Sequence, residues 1–511
     1  MRRLPVLALA LAALLTACSG QEKREDDPAA PKAGTLRVLA SSELGDMTPV
    51  LDRVEKDTGI KVRPTYMGTL DAVDLLAKGT ADERYDALWL ASNDYLRLRP
   101  DAARKVVSET PVMSSPVAIG VRQATVRELN WKPEDVTWAQ VERAVRDGKL
   151  TYGMTDPARS NSGFATLVSV ASALSGAQSA LTDADVTKAT PRLKEFFQGQ
   201  QLTSGSSGWL ATAYQRRGTV DALLNYESVL KGIPGLTVIR PRDGVVTADY
   251  PLSSLAATGA ATREDVRRLT EALRSEPVQR LITDRTHRRP VVASVAPATG
   301  LDTTRRRELP FPGSRSVADG LLDSYENDLR RPSRTVYVLD TSGSMKGDRL
   351  ARLKSALTDL TGDFRDREQV TLMPFGSEVK SVRTHVVDPA DPESGLAAIR
   401  ADTNALTAAG DTAIYTSLEK AYDHLGTDRD TFTSIVLMTD GENTAGAEAK
   451  DFDAFYAGLG TDRRHIPVFP ILFGDSDRSE LEHIADLTGG RLFDARQGSL
   501  DGAFEEIRGY Q

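Results

Sequence analysis

Residues 335–344 read TVYVLDTSGS, and the change of character halfway along this stretch decides the architecture around it. Thr335 to Leu339 are β-branched, aromatic or aliphatic without alternation, as in a strand of a parallel sheet covered on both faces. Asp340 ends the run, and Thr341-Ser342-Gly343-Ser344 reads as loop. In a loop leaving a strand end, alternate side chains turn towards one point, so Asp340, Ser342 and Ser344 offer one carboxylate and two hydroxyls together. That set suits a hard divalent cation, which prefers oxygen ligands and keeps water-filled positions.

The neighbouring sequence repeats strand and helix. Leu350, Leu353, Leu357, Leu360 and Phe364 follow helical spacing, as do Ile414, Leu418, Ala421 and Leu425. QVTLMPF (369–375), SIVLMTD (434–440), IPVFPILFG (466–474) and the short RLFDA read as strands. SELEHIADLTGG (479–490) reads as a helix ending on paired glycines, where a left-handed cap is expected, and 499–509 as a closing helix. Residues 334–511 therefore form a doubly wound, Rossmann-like α/β domain. Two more of its loops carry oxygen. Gly410-Asp411-Thr412 opens a helix, and Thr439-Asp440-Gly441 ends a strand.

Asp-x-Ser-x-Ser, then a distant Thr, then a distant Asp, resembles the metal-ion-dependent adhesion site of von Willebrand factor A domains. Asp340, Ser342, Ser344, Thr412 and Asp440 fill all five positions. The resemblance implies Mg²⁺, with Mn²⁺ or Ca²⁺ as substitutes. Asp340, Ser342, Ser344 and Thr412 would hold it directly or through water, and Asp440 through water. It also implies a protein partner whose acidic side chain completes the metal's octahedron, which is recognition rather than turnover. A domain that keeps the fold with an empty site is the alternative.

Residues 34–300 also alternate. TLRVLAS (35–41), IKVRPTY (60–66) and YDALWLAS (85–92) read as strands, with helices over 45–58 and 69–79. The chain changes course around Pro111 to Val121. Strands near 151–155, 222–227 and 236–240 follow, DYPLSSL (249–255) reads as a return crossing, and helices over 262–274 and 276–286 close the block. Within DPARSNSGFATLVSVASAL (156–174), Ser160 or Asn161 caps a helix, Ser162 follows, and Gly163 lets a ligand approach the backbone. Free N–H groups at a helix start make a ready anion site. The order of lobe, crossing, second lobe and return resembles the type II periplasmic solute-binding protein, a two-lobed clamp. The resemblance implies a small-molecule or oxyanion ligand in the cleft. Strand C-terminal ends are where open α/β sheets place ligands. Ser41, Ser42, Ser92, Asn93, Tyr226 and Glu227 are therefore further cleft candidates, with plain turn or cap roles as the alternative. Glu227 would oppose an anion unless protonated or paired, which leaves a cationic or neutral ligand open.

Residues 301–333 are Pro-rich, charged and irregular at first and read as a linker. Arg305 to Arg307 is taken as a solvated face, and a helix follows over 317–331. At the other end, Arg2, Arg3 and the apolar run Leu4 to Leu15 read as a signal peptide, too short for a membrane span of about 20 apolar residues. Leu15-Thr16-Ala17-Cys18 resembles a bacterial lipobox. It implies cleavage after residue 17, lipid on Cys18, and a flexible tether over 18–33. The protein is then anchored to the outer face of the cell membrane without spanning it. A plain secretory signal with a chance cysteine is the alternative.

Composition narrows the function. The 511 residues carry a formal charge of −8, and −10 once Arg2 and Arg3 leave with the signal. A net acidic chain without a basic stripe argues against nucleic acid. Cys18 is the one cysteine, so an internal disulfide is excluded. His287, His385, His424, His465 and His483 lack zinc-binding spacing, and neither a nucleophile elbow nor a phosphate loop is present. Ser342 has no partnered histidine. The expectation is a lipid-anchored extracytoplasmic binding or adaptor protein, a ligand-sensing clamp joined to a metal-dependent protein-binding domain, and not an enzyme. A solute receptor of an ABC transporter and an envelope-assembly protein without a small ligand are the alternatives.

Overall fold

The computed structural model describes residues 34–218, 220–426, 431–474, 476–496 and 500–510. The expected signal peptide, Cys18 and the tether over 18–33 lie outside the described residues. Among the described residues no helix is long and apolar enough to cross a membrane.

Two sheets build the N-terminal clamp. In the first, Thr35–Ser41 lies between Lys61–Met67 and Ala87–Trp89, all parallel. Pro251–Leu255 returns antiparallel between Ala87–Trp89 and Val106–Pro111. In the second, the order is Thr247–Ala248, Ser115–Arg122, Ala222–Tyr226, Tyr152–Thr155 and Gln200–Ser204, with Leu236–Ile239 also on Ser115–Arg122. The chain thus crosses between lobes at 112–114 and returns at 249–250, as the change of course near Pro111 and the DYPLSSL stretch led one to expect. Asn161–Ser175 is buried along almost its whole length and ends on Gly176 at φ 74°, so its apolar residues run all round rather than along one stripe.

The stretch expected as a linker is instead part of the second lobe. Glu308 bridges to Val245 and Pro312 to Leu181. Leu309 is buried, and the Phe311 ring meets Phe164 edge-on at 5.6 Å. Arg305 and Arg307 are exposed, as a solvated face would be, although Arg307 donates to the Ala177 carbonyl at 2.8 Å, while the Arg306 side chain is tucked in at 11% exposure. Its apolar residues give the segment enough to bury. The helix Arg315–Ser324 and the wider turn Tyr325–Leu329 continue this packing, with Tyr325 against Phe197 at 5.1 Å.

The C-terminal domain has one six-stranded sheet, ordered Arg383–Val386, Gln369–Phe375, Ser333–Asp340, Phe432–Thr439, Val468–Leu472 and Phe493–Asp494. Only Arg383–Val386, an exposed edge strand, runs antiparallel. Alternate residues of Ser333–Asp340 feed opposite cores. Tyr337 and Leu339 pack with Leu353, Leu357 and Phe504, while Val336 and Val338 pack with Leu418, Phe452 and Ile484. Chain order reverses between Ser333–Asp340 and Phe432–Thr439, where Leu339 pairs with Met438. Open α/β sheets bind ligands beyond the strand ends at such a switch point.

Buried charge joins the clamp to this domain. Arg365 reaches Glu326 at 2.5 Å and Asp156 at 3.3 Å, and Glu368, held by Arg508 within its own domain at 2.6 Å, faces Arg330 at 4.0 Å. Trp209 of the second lobe stacks between Arg216 and Arg491, each 5.4 Å from its rings, and meets Tyr510 edge-on.

Candidate functional site

Three loops converge where the C-terminal sheet reverses order. Backbone bonds clip them together: Gly343 N–H donates to the Gly410 carbonyl and Ala409 N–H to the Thr341 carbonyl, both at 2.8 Å. Gly410 sits at φ 89°, where a Cβ would stand 3.0 Å from the Ser377 nitrogen, so only glycine makes this approach without strain. Asp340 accepts from the Ser342 amide at 2.8 Å and from the Thr439 hydroxyl at 2.7 Å. The Ser342 and Ser344 hydroxyls lie 2.9 Å apart, and Ser344 donates to Asp440 Oδ1 at 2.8 Å. The Thr412 hydroxyl faces the third loop, 4.0 Å from where a Cβ on Gly441 would stand. The structure therefore brings the five sequence-predicted oxygen residues together.

Asp340 and Asp440 are buried at the base, and Ser344 is exposed at the rim. Burial pushes the Asp340 carboxyl above its ordinary value, and nearby Asp440 adds to the push. A bound cation would relieve both. Two carboxylates and three hydroxyls, without nitrogen or sulfur, fit a hard ion such as Mg²⁺. Two cations at the site escaped sequence reasoning. Arg349 meets Asp440 Oδ2 at 2.6 Å, and Lys380 donates to the Thr341 carbonyl at 2.6 Å. Neither stands in the motif, although an arginine in the first turn of the helix Asp348–Leu360 stands against the helix dipole and was a usable signal.

In the clamp, the predicted residues divide. Ser41 ties strand ends together, accepting from the Ala91 amide at 2.8 Å and meeting Thr69 at 2.9 Å. Ser92 accepts from the Asp94 amide, and Asn93 donates to Glu109 and Ser253, so both serve local structure. Ser42 is half-buried at the head of the turn Ser42–Met47. Ser160 stands at the N-cap position, but its hydroxyl meets Ser162 at 3.2 Å instead of capping the backbone. Ser162 also meets Thr155 and Ser207, each at 2.7 Å. Gly163 does not serve ligand approach as expected. A Cβ there would lie 2.3 Å from the Thr155 carbonyl oxygen, so the glycine lets the helix press onto its strand. Glu227 is paired with Arg289, at 2.9 Å to each oxygen, and lies 3.5 Å from Arg240.

Asn161 and Tyr226 are buried and joined at 2.8 Å from the Asn161 amide to the Tyr226 oxygen. Around them stand residues that the sequence reading missed. Glu43 Oε1 and the Tyr250 hydroxyl are buried and make no well-formed hydrogen bond among the described residues, although Tyr250 lies near enough to the Glu43 carboxyl to favour its charged form. The Tyr226 and Tyr250 rings meet at 5.9 Å. Arg288 stacks over Tyr250 at 5.0 Å, donates to the Glu43 carbonyl at 3.0 Å, and is paired with Asp46 at 2.7 Å. Burial pushes Glu43 up to about 6. The lobes touch, since the Leu70 amide donates to the Arg159 carbonyl at 3.2 Å and Arg159 faces Asp71 at 3.5 Å. A separate cavity of about 720 Å³ lies between clamp and C-terminal domain, against Phe432 and Pro467, at the opposite end of the sheet from Asp340.

Comparisons with known proteins follow the same division. Residues 36–285 match the family model of the bacterial extracellular solute-binding protein, and residues 335–442 that of the von Willebrand factor type A domain. Inter-alpha-trypsin inhibitor heavy chain H1 of Bos taurus is 29% identical over 196 residues, 36% of this chain and 21% of its own length. The chain thus spans about a fifth of that relative. Among solved structures, the periplasmic binding protein AfuA from Actinobacillus pleuropneumoniae aligns with a TM-score of 0.45 and 13% identity, over 58% of this chain and 99% of that one. A von Willebrand factor type A structure from Catenulispora acidiphila aligns with a TM-score of 0.31 and 20% identity, over 35% of this chain and 42% of that one.

Proposed function

For a chain that joins a bacterial extracellular solute-binding domain to a von Willebrand factor type A domain, we propose the role of a lipid-anchored extracytoplasmic adaptor. Cys18 carries the lipid and holds the protein at the outer face of the membrane. The clamp senses a small solute, and the C-terminal domain docks a protein through a divalent cation, Mg²⁺ in the first instance. The observation that carries this reading is the continuous set Asp340, Ser342, Ser344 and Asp440, hydrogen-bonded from one loop to the next and open to solvent at Ser344.

Asp340, Ser342, Ser344 and Thr412 would hold the cation directly or through water, with Asp440 behind a water. The cation supplies a Lewis-acidic point for the carboxylate of a partner. The chain's own residues do the rest. Thr439 and the Ser342 amide orient the Asp340 carboxylate, Ser344 links the first loop to the third, and the Gly343 to Gly410 bond fixes the second loop beside them. In the clamp, Arg288 is neutralised by Asp46, whereas the Glu43 carboxyl keeps an oxygen without a well-formed hydrogen bond among the described residues. That favours a solute presenting hydrogen-bond donors, an amine or a hydroxyl, over an oxyanion.

The test is thermal unfolding of the mature chain as Mg²⁺ is added after chelation, with Asp340→Ala beside it. A ligand of the folded state alone stabilises by about 2.7 kcal/mol at a hundredfold excess over Kd. A saturable rise in the wild type that is lost in Asp340→Ala is expected. An equal rise in both, or none in either, contradicts the metal assignment.

A further inference from the structure

We infer that Arg349 is a built-in counter-cation of the metal face, which weakens binding of a divalent cation alone and makes cation and carboxylate binding cooperative. The inference rests on the metal assignment proposed above and concerns a residue outside the five-oxygen motif.

Of the two buried carboxylates of the site, Asp440 is held by a protein cation. Arg349 holds Asp440 Oδ2 at 2.6 Å, and the Asp440 side chain is fully buried. Lys380 is fixed to the Thr341 and Thr407 carbonyls, where it feels the charge of Asp340. Asp411 is exposed and turned to Ser377 at 3.2 Å. The Arg349 position is built. Gly474 lies at φ 69°, and a Cβ there would stand 3.0 Å from the Asp440 Cβ and 3.4 Å from the Arg349 guanidinium carbon. Any larger residue would crowd the pair. An arginine in a first helical turn opposes the helix dipole, and Asp440 offsets that cost.

The consequence follows from charge. With Asp440 already paired to Arg349, a divalent cation enters a site whose net negative charge is reduced and retains more of its own. It then binds weakly alone, and an anionic ligand on its open side gains from the uncompensated charge. Removing the Arg349 charge frees Asp440 for the cation and lowers the pull on the anion.

The experiment is a Mn²⁺ titration of the mature chain followed by the electron paramagnetic resonance of free Mn²⁺, with and without sodium acetate as the carboxylate probe. Wild type, Arg349→Gln and Arg349→Lys are compared, with Asp340→Ala as the blank. Arg349→Gln is expected to bind Mn²⁺ about tenfold more tightly than wild type, the scale set by one unit charge a few ångströms away. Acetate should tighten Mn²⁺ binding in wild type and much less in Arg349→Gln. Arg349→Lys, which keeps the charge, should follow the wild type. Unchanged or weaker Mn²⁺ binding in Arg349→Gln, an equal acetate effect in both, or Arg349→Lys behaving as Arg349→Gln overturns the inference while leaving the metal assignment standing. Binding in every chain equal to that of Asp340→Ala overturns both.

Discussion

Glu43 shows what a single buried side chain can report. Burial raises its carboxyl from 4.5 to about 6, with Arg288 pulling the other way. Because the folded value lies above the unfolded one, folding favours the protonated form. Its contribution is complete below about pH 4.5 and is lost as pH rises through about 6. Glu43→Gln cannot ionise, so it should gain up to about 2 kcal/mol over wild type near neutral pH and nothing in acid. Unfolding curves at the two pH values check this, and equal effects at both would contradict it. The same substitution should weaken binding of an amine or polyol in the clamp. The residue was not legible in the sequence, because its neighbours Tyr250 and Arg288 lie more than two hundred positions away and reach it only through the return crossing. Asp340, Ser342 and Ser344 were legible because one loop carries all three.

At the scale of elements, the segment 156–163 is held from three sides. Gly163 is pressed onto the strand Tyr152–Thr155, Arg159 touches the first lobe, and Asp156 is reached by Arg365 of the C-terminal domain. Gly163→Ala places a Cβ against a backbone oxygen that cannot yield, so it should destabilise by roughly 1–3 kcal/mol or more, read by thermal unfolding. A neutral effect would mean that the helix is free to lift. Burial alone would raise the Asp156 carboxyl, but Arg365, Arg330 and Arg159 hold it below its ordinary value. Arg365→Gln leaves that buried charge poorly compensated and should cost about 3–5 kcal/mol. Hydrogen exchange should rise in 156–160 in this variant, and an unchanged pattern there would contradict the tie. The sequence disclosed the strands and helices around this segment because their apolar spacing is local. It did not disclose the packing of 301–314, whose Pro and Arg content reads as linker until Leu309 and Phe311 are seen buried in the second lobe. Nor did it disclose the edge strand Arg383–Val386, whose outward residues carry no apolar pattern.

Across the whole molecule, the proposed solute cleft and the proposed metal face belong to domains joined by a buried charged junction. Asp156 and Glu326 from the clamp side meet Arg365 from the other, and Glu368, paired with Arg508 inside the C-terminal domain, faces Arg330 of the clamp side at 4.0 Å. Such a junction is costly to leave half-paired, so the two domains should unfold as one cooperative unit in calorimetry. Two well-separated transitions would contradict that expectation. The order of the domains was legible in the sequence because each repeats its own strand and helix pattern; their docking was not, because it depends on pairs hundreds of residues apart. The central claim is that the five oxygen residues hold a divalent cation. Anomalous diffraction from crystals grown with Mn²⁺ tests it most directly. A single strong peak among Asp340, Ser342, Ser344 and Thr412 is predicted, absent in Asp340→Ala; density there without an anomalous signal, or a peak only elsewhere on the molecule, would contradict it.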